Sequence, residues 1–499
     1  MIRETMPKQP VFPTDEEKNR FRQLGYELDS HGRPLHPWRD RLPHLAEGKG
    51  FFYHWGPNYT VDPVVISQTT TPRLLLIQRG DTGRWAFPGG FLETNEDIHT
   101  AGLRELQEET GLAQVDSSGR VVYTGVVNDR RATLHAWPET SAILWRTHTA
   151  YPVQAGDDAE HAEWVPLCHA RTLLADSSHG DILAEAIKTH GSLHEKVEYY
   201  ADQSIIRDAQ GGHMAYSRVI ISPPEGVPIF VKHHNKNTIT DDIRADHLRR
   251  YLKKEYAVYK HLETHGVPVP NDVMLIDDHT LLMEALDPNS GWYWRAPGAP
   301  HKREAYIEDI LRSLTTVAST PPVDTADIAS SYTTLHQEGW NVYPDHQQMI
   351  REKLAASQID GSNELIAALD TIYARYSAQH PPELTAFCHH DFRQSNVAWH
   401  PAHGTKIVDW SWADRGPRLA DTTSFLIDLY KSGHEISRYQ EYVDEYHALV
   451  LIGFWLEHSI WPPAPSNHLV REQQLASAIA AFRLLEEIRQ TSVPEKTAS

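Results

Sequence analysis

A chain of 499 residues is too long for one compact core, and ordinary domains of roughly 100–200 residues predict two to four units, read here as two. A hydrophobic share of 40% with 14 Trp describes a globular chain, and a net charge of −20 argues against a dedicated binder of nucleic acid or anionic membrane, whose phosphates would repel it. Two distant cysteines, Cys168 and Cys388, and an amino-terminal stretch without an apolar signal core fit a reducing, cytoplasmic setting.

The longest apolar run, Ala448 to Leu456, is too short to span a bilayer. The 31 His are scattered without zinc-site spacing and are expected at the surface. Residues 1–45 mix turn formers with charges and predict an arm or short hairpin. From 46 to 194, strands are expected at Pro63 to Ser67, Leu74 to Arg79, Val121 to Val127 and Ser141 to Arg146. A strongly patterned helix runs from near Asn95 to Gly111, and a second covers Asp181 to Lys188. The polar stretch THGSLHEK then predicts a domain boundary near residue 195.

Beyond it, strands at Ser217 to Ser222 and Ile229 to His233, a helix over Tyr251 to His265 and mainly helical sequence from Lys302 imply a small sheet lobe before a larger helical lobe. This second domain is placed at 195–490, with 491–499 as a tail. No internal repeat or low-complexity tract interrupts the chain.

Gly90 to Leu112 reads GFLETNEDIHTAGLRELQEETGL. At 100° per residue, Gly102, Leu103, Leu106 and Thr110 fall on one helical side and Arg104, Glu105, Glu108 and Glu109 on the other. Two carboxylates about 4 Å apart at an effective dielectric near 20 repel by roughly 4 kcal/mol, so the cluster needs a cation, and oxygen-only ligands select magnesium or manganese. A run of acids on a helix is ordinarily a solvated face. Here Gly89 and Gly90 allow a tight loop after the strand LLLIQR, Glu96 opens the helix, and Arg104 is placed to hold the acids.

The segment resembles the Nudix box at Gly90, Glu96, Arg104, Glu105, Leu106, Glu108, Glu109, Gly111 and Leu112. The resemblance implies a Nudix α/β/α sandwich that hydrolyses a diphosphate linked to another group. Glu105, Glu108 and Glu109 would bind metal with Glu96 assisting, and either Glu109 or the acidic loop Gly156 to Trp164 would take the proton. Two further segments, Gly48 to Val65 and Asp129 to Thr140, resemble mitochondrial-type ADP-ribose pyrophosphatases and the Nudix tail of a melastatin-type channel. The matches are Trp55, Gly56, Pro57, Asn58, Asp62 and Pro63, then Asp129, Arg130, Ala136, Trp137 and Glu139. They imply a nucleoside diphosphate derivative as substrate, ADP-ribose ahead of other dinucleotides, with Asn58, Arg79, Asp129, Arg130 and Trp137 as its binding residues. An arginine pairs with phosphate and an aromatic ring stacks on a base, although either can equally support the fold. His54 and Tyr59 depart from that pattern.

In the second domain, Lys232 ends the strand IFVK and Glu255 lies on the helix LKKEYAVYKHLE, a pair that alone would be an ordinary surface contact. LLMEAL, with Glu284 and Leu286, reads as a connector between lobes. Phe387 to Trp410 places His389, Asp391, Asn396 and Asp409 with the spacing of a kinase-type catalytic loop. Two short strands flanking PAHG would bring Asn396 opposite Asp409, where two oxygen ligands can hold magnesium on ATP phosphates. Asp391 would then accept the acceptor's proton, and Lys232 would neutralise phosphate charge.

The order resembles aminoglycoside phosphotransferases and choline kinases over residues 195 to 490. It implies a two-lobed, protein-kinase-like domain that uses ATP and magnesium to phosphorylate a small-molecule hydroxyl, with Lys232, Glu255, Glu284 and Leu286 at the nucleotide. Asp421 would brace the catalytic loop. Only Gly211 and Gly212 are available to cover ATP. Six Trp (292, 294, 410, 412, 455 and 461) could cage a cationic or aromatic acceptor, with core packing the expected role for most of them. Asp414, Asp428, Glu435 and Glu457 would suit an amine, and Arg415 and Arg418 a phosphorylated compound. The whole reads as a bifunctional enzyme, with a nucleotide sensor as the alternative.

Overall fold

Alternating apolar residues on three long strands set the architecture of the first unit. In a computed structural model describing residues 12–42, 44–156, 159–209, 216–234, 242–323, 330–463, 467 and 469–492, this unit spans Met1–Ile205 with Pro223–Gly226. Its elements are α1 (Asp15–Gln23), β1 (Gly56–Ser67), β2 (Arg73–Arg79), β3 (Trp85–Ala86), β4 (Gly90–Phe91), α2 (Ile98–Thr110), β5 (Arg120–Val126), β6 (Ala136–Thr147), β7 (Ala159–Pro166), α3 (Leu167–Leu173), α4 (Ser178–His190) and α5 (Leu193–Tyr199).

The sheet runs β3-β2-β1-β6-β5, with β4 on β1 and β7 on β2. β1 and β6 pair in parallel from Gly56↔Ala136 to Ser67↔Thr147. Successive side chains point to opposite faces, so Val61 and Val65 of β1 join Ile143 and Trp145 against α2, whereas Val64 and Ile66 join Leu144 against Leu167, Ile182 and Leu183 of α3 and α4. A helical layer therefore covers each face of the sheet.

Three local expectations need correction. The amino-terminal region carries a helix, α1, nucleated by a reciprocal capping box between Thr14 and Glu17, before a small turn with a Leu28↔Pro34 bridge. The acidic loop becomes strand β7 along β2 from Ala159 onward, while Asp157 and Asp158 lie outside the described residues. The polar stretch expected to hold the domain boundary enters α5, which has its own Ser192/Glu195 capping box. Both Glu195 oxygens accept from Arg146 of β6 at 2.8 Å, so α5 stays with the first unit.

The second unit comprises Ile206–Ser222 and Val227–Ser499. It opens with a five-stranded sheet, β8 (Ile205–Asp208), β9 (Tyr216–Ser222), β10 (Ile229–His234), β11 (Met274–Asp277) and β12 (Thr280–Glu284), in the order β11-β12-β10-β9-β8. Helix α6 (Asp242–Thr264) packs on it through Leu248, Leu252, Val258 and Leu262. The rest holds α7 (Pro300–Ser319), α8 (Ser331–Gln337), α9 (Tyr343–Ala356), α10 (Ser362–Ala378), β13 (Ala386–Cys388), β14 (Val397–His400), β15 (Gly404–Ile407), β16 (Asp414–Gly416), α11 (Ala420–Lys431), α12 (Glu445–Ser459) and α13 (Val470–Ser492). β14 and β15 form the expected hairpin, and β13 pairs with β16, a strand pair the sequence reading lacked. Gly211 and Gly212 lie outside the described residues.

The apolar run Ala448 to Leu456 is the centre of α12, buried on nearly every side. Among the described residues no helix is long and apolar enough to cross a membrane. His447 on this helix is 1% exposed, and burial, with His390 and His336 adding to it, pushes its pKa from 6.5 down to about 3. Because the folded-state value lies below the unfolded one, its stabilising contribution is complete above pH 6.5 and is lost as the pH falls towards 3. By linkage the second unit should lose about 2 kcal/mol between pH 7 and pH 5 through this one residue. Urea unfolding at both pH values should show a smaller difference in His447→Gln than in the wild type, and equal differences would refute the assignment.

Candidate active sites

In the first unit the acidic helix is terminated by its own sequence. Asp97 caps the start, accepting from the backbone of His99 at 3.0 Å and Thr100 at 3.1 Å. Gly111 closes the end at φ 68°, donating to the Gln107 carbonyl. Glu96 therefore precedes the helix rather than opening it, and the left-handed Asn95 (φ 67°) turns it back towards α2. Leu103 is 40% exposed although it shares a helical side with Gly102, Leu106 and Thr110, and Glu109 on the acidic side is 7% exposed.

Arg104 occupies the centre of the carboxylate group. Its Nε and Nη2 donate to the two oxygens of Glu96 at 3.0 Å, and Nη1 donates to Glu105 at 2.8 Å and Glu108 at 3.0 Å. Nη2 also reaches the Phe91 carbonyl at 3.1 Å. Glu109, nearly buried, accepts the Gly89 backbone N–H at 2.7 Å. The two glycines permit this approach, since a Cβ on Gly90 would stand 2.5 Å from a Glu105 oxygen and one on Gly89 would stand 2.2 Å from the Val61 carbonyl. Burial pushes the Glu105 carboxyl above its ordinary value although Arg104 opposes it, whereas Arg104 holds half-buried Glu96 below the usual range. Among the described residues no three His, Cys, Asp or Glu side chains already surround one point as metal ligands, because Arg104 stands between the acids. The donors are nonetheless all oxygen, and Glu105 is a desolvated carboxylate that a divalent ion would relieve, so the set fits magnesium or manganese.

The residues expected to bind substrate divide. Arg79 pairs with Asp81 at 3.0 Å, and Arg130 is exposed. Asp129 pairs with Arg131, whose Nη2 approaches at 2.7 Å; this arginine was absent from the sequence reading. Asn58 and Trp137 are corrections. The Asn58 amide is engaged by His54 and Gly56, fixing the turn into β1, and Trp137 is completely buried with its indole N–H on Glu139. Neither presents a free face. Asp62, among the matched positions, packs under Gly89, accepts from Thr140 at 2.8 Å and faces His179 at 3.9 Å. Burial raises its carboxyl despite His179.

In the second unit, burial selects the ion pairs. Lys232 on β10 is 3% exposed, and its ammonium donates to Glu255 of α6 at 2.7 Å and Asp409 at 2.8 Å. Burial works against charge on all three groups, but Lys232 holds the Asp409 carboxyl far below its ordinary range. Asp409 has a left-handed backbone (φ 65°), with its N–H on the Tyr259 hydroxyl.

The catalytic-loop candidates are tied through the backbone. Asp421 accepts the N–H groups of His389 at 2.7 Å and His390 at 2.9 Å. His389 accepts the Asp391 N–H on Nδ1, which leaves the proton on Nε2 to donate to the Val408 carbonyl at 2.9 Å. One imidazole thereby links the loop of Asp391 to the strand end before Asp409. Asn396 donates through Nδ2 to the Asp391 carbonyl and carboxylate at 2.7 and 3.1 Å, so its Oδ1 is oriented as an acceptor.

In the connector, the Glu284 carboxylate accepts from Asn271 at 2.8 and 2.9 Å, and the Leu286 carbonyl accepts the Trp294 indole N–H at 2.8 Å. Among the described residues no two of the six tryptophans are in ring contact, and the structure shows the core-packing role for some of them. Trp410, for example, is buried against Phe387 and His389.

The geometry gathers carboxylates around an arginine in one unit and joins a lysine to a glutamate and an aspartate in the other. A NUDIX domain matches residues 58–186, and the description "Phosphotransferase enzyme family" matches residues 229–459. Nudix hydrolase 6 of Caenorhabditis elegans is 34% identical over 172 residues, covering 31% of this chain and 64% of that protein. The mitochondrial ADP-ribose pyrophosphatase of Rattus norvegicus is 30% identical, covering 31% of this chain and 53% of its own length. An ADP-ribose pyrophosphatase of Methanocaldococcus jannaschii is 32% identical over 123 residues, with 24% of this chain and 68% of that protein covered. The chain belongs to the Nudix hydrolases through its first unit and carries a phosphotransferase-family domain in its second.

Gly90→Ala tests the close approach of Glu105. The added methyl should displace that carboxylate and lower manganese affinity by about tenfold or more, as loss of ligand support typically does, while the unit stays folded. Paramagnetic resonance titration with thermal melting measures both, and an unchanged affinity would show that Glu105 does not depend on this cradle.

Proposed function

We propose that the chain is a bifunctional enzyme. The first unit hydrolyses ADP-ribose to AMP and ribose 5-phosphate, and the second transfers the γ-phosphoryl group of ATP to the hydroxyl of a small molecule. The observation that carries the first half is the gathering of Glu96, Glu105 and Glu108 around Arg104, with Glu109 bound to Gly89 alongside. Glu105, Glu108 and Glu109 would hold magnesium or manganese, which polarises phosphoryl oxygen and lowers the pKa of an attacking water. Arg104 keeps the acids assembled. The relatives named ADP-ribose pyrophosphatases support the substrate, and Asp129 with Arg131, next to Arg79 and Arg130, offers arginine donors for its polar groups. Release of AMP from ADP-ribose should require magnesium and fall by at least about a hundredfold in Glu108→Gln. Binding of ADP-ribose without release would instead favour a nucleotide sensor.

The second half rests on the ion-paired Lys232, Glu255 and Asp409 and on the Asp391–Asn396 bonds. Asn396 and Asp409 would hold magnesium on the donor phosphates. Lys232 would neutralise phosphate charge and Asp391 would orient the acceptor hydroxyl. ATP consumption across an acceptor panel should fall about a hundredfold or more in Asp391→Asn, and consumption indifferent to this change would refute the assignment.

A further inference from the structure

Arg393 lies two residues beyond Asp391, on the turn leading to Asn396, and enters none of the roles assigned above. Its Nη2 donates to the Asp391 carboxylate at 3.1 Å. Its Nε is buried and meets no acceptor among the described residues. Besides Asp391, the carboxylates of Asp409 and Asp428 act on this guanidinium, so it faces three acids. The neighbouring cations are committed elsewhere: Lys232 is held between Glu255 and Asp409, and Lys431 binds Asp428 at 3.0 Å. Arg218 of β9 acts on Asp409 only through the field.

The acids once considered for an amine acceptor are likewise engaged. Asp414 accepts the Ser331 N–H, Asp428 accepts from Gln394, Glu435 accepts from Ser437, and Glu457 pairs with His346. Among the described residues Arg393 is a cation bonded to the proposed base, and its Nε remains an unused donor. Resting on the phosphotransfer reading of this unit, we propose that Arg393 is a catalytic residue that binds the non-bridging oxygens of the phosphoryl group during transfer.

The group transferred must pass between Asp391, which takes the acceptor's proton, and Asp409, which faces the donor phosphates. Arg393 is electrostatically joined to both. In the step, the bond from γ-phosphorus to the bridging oxygen breaks and that electron pair leaves with ADP. The acceptor oxygen forms the new P–O bond and its proton passes to Asp391. Charge spread over the three equatorial oxygens meets a guanidinium whose planar fork suits them, and Arg393 shifts from Asp391 to the phosphoryl as it arrives. Before that, the same contact prevents repulsion between Asp391 and the neighbouring acids.

The test measures binding of ADP and of ADP with aluminium fluoride, both with magnesium, by calorimetry on the full chain, together with ATP hydrolysis without acceptor. Arg393→Ala should leave ADP affinity within about twofold, weaken the aluminium fluoride complex by at least about tenfold and slow hydrolysis by about a hundredfold or more, with Arg393→Lys between it and the wild type. Melting temperatures identify any variant that fails to fold, in which case Arg393→Lys alone must show the selective loss. Equal affinity of the variants and the wild type for the aluminium fluoride complex, or an equal loss for ADP alone, would overturn the catalytic role and leave the phosphotransfer reading intact. Failure of the wild-type chain to bind ADP or ATP would overturn that reading and Arg393's role with it.

Discussion

Each unit solves one electrostatic problem, the assembly of several carboxylates in a small volume, by placing a single cationic side chain among them. Two such charges about 4 Å apart repel by roughly 4 kcal/mol at an effective dielectric near 20, so three or four do not gather unaided. Arg104 performs this task with a planar fork whose edges address Glu96, Glu105, Glu108 and the Phe91 carbonyl at once. Lys232 performs it with a compact ammonium buried between Glu255 and Asp409. Surface ion pairs contribute little to stability, but Lys232 and Glu255 are withdrawn from water, and removing either of them would strand a buried charge.

The cation's shape matches the scaffold that carries it. Arg104 lies on α2 with Glu105 and Glu108, while Glu96 lies eight residues earlier and is reached only because Asn95 turns the chain before the Asp97 cap. Lys232, by contrast, joins residues far apart in sequence, and the rigid backbones of β10 and α6 deliver them. The first cluster is thus a local construction and the second a tertiary one. Local clusters print a spacing in the sequence, whereas tertiary ones leave only isolated residues in the right order.

This difference governs what could be read in advance. The Nudix segment was legible because helical periodicity and two glycines act within one short stretch, and the β14–β15 hairpin because four-residue runs flank a turn. Strand β7 was not legible: its acidic pattern reads as solvated loop, and only pairing with β2 makes it a strand. Trp137 and Asn58 could not be assigned from residue type, since an aromatic or an amide serves equally in a core or at a ligand. The packing decides, with Trp137 closed over by Tyr26 and His36 and Asn58 bonded to its own turn. Arg131 and Arg393 were passed over for a related reason. An arginine beside an aspartate carries no periodicity, and its importance is visible only in what its donors touch.

His389 and Asp421 show how the second site gains rigidity without further charge. Asp421 uses its two oxygens on consecutive backbone N–H groups, which fixes the peptide planes leading into Asp391. The tautomer of His389 is then determined, because Nδ1 receives the Asp391 N–H and only Nε2 can bond Val408. The chain immediately before Asp409 is held by the same ring that holds Asp391. Displacing one end would break a buried hydrogen bond at the other, and one imidazole ring thereby couples the positions of Asp391 and Asp409.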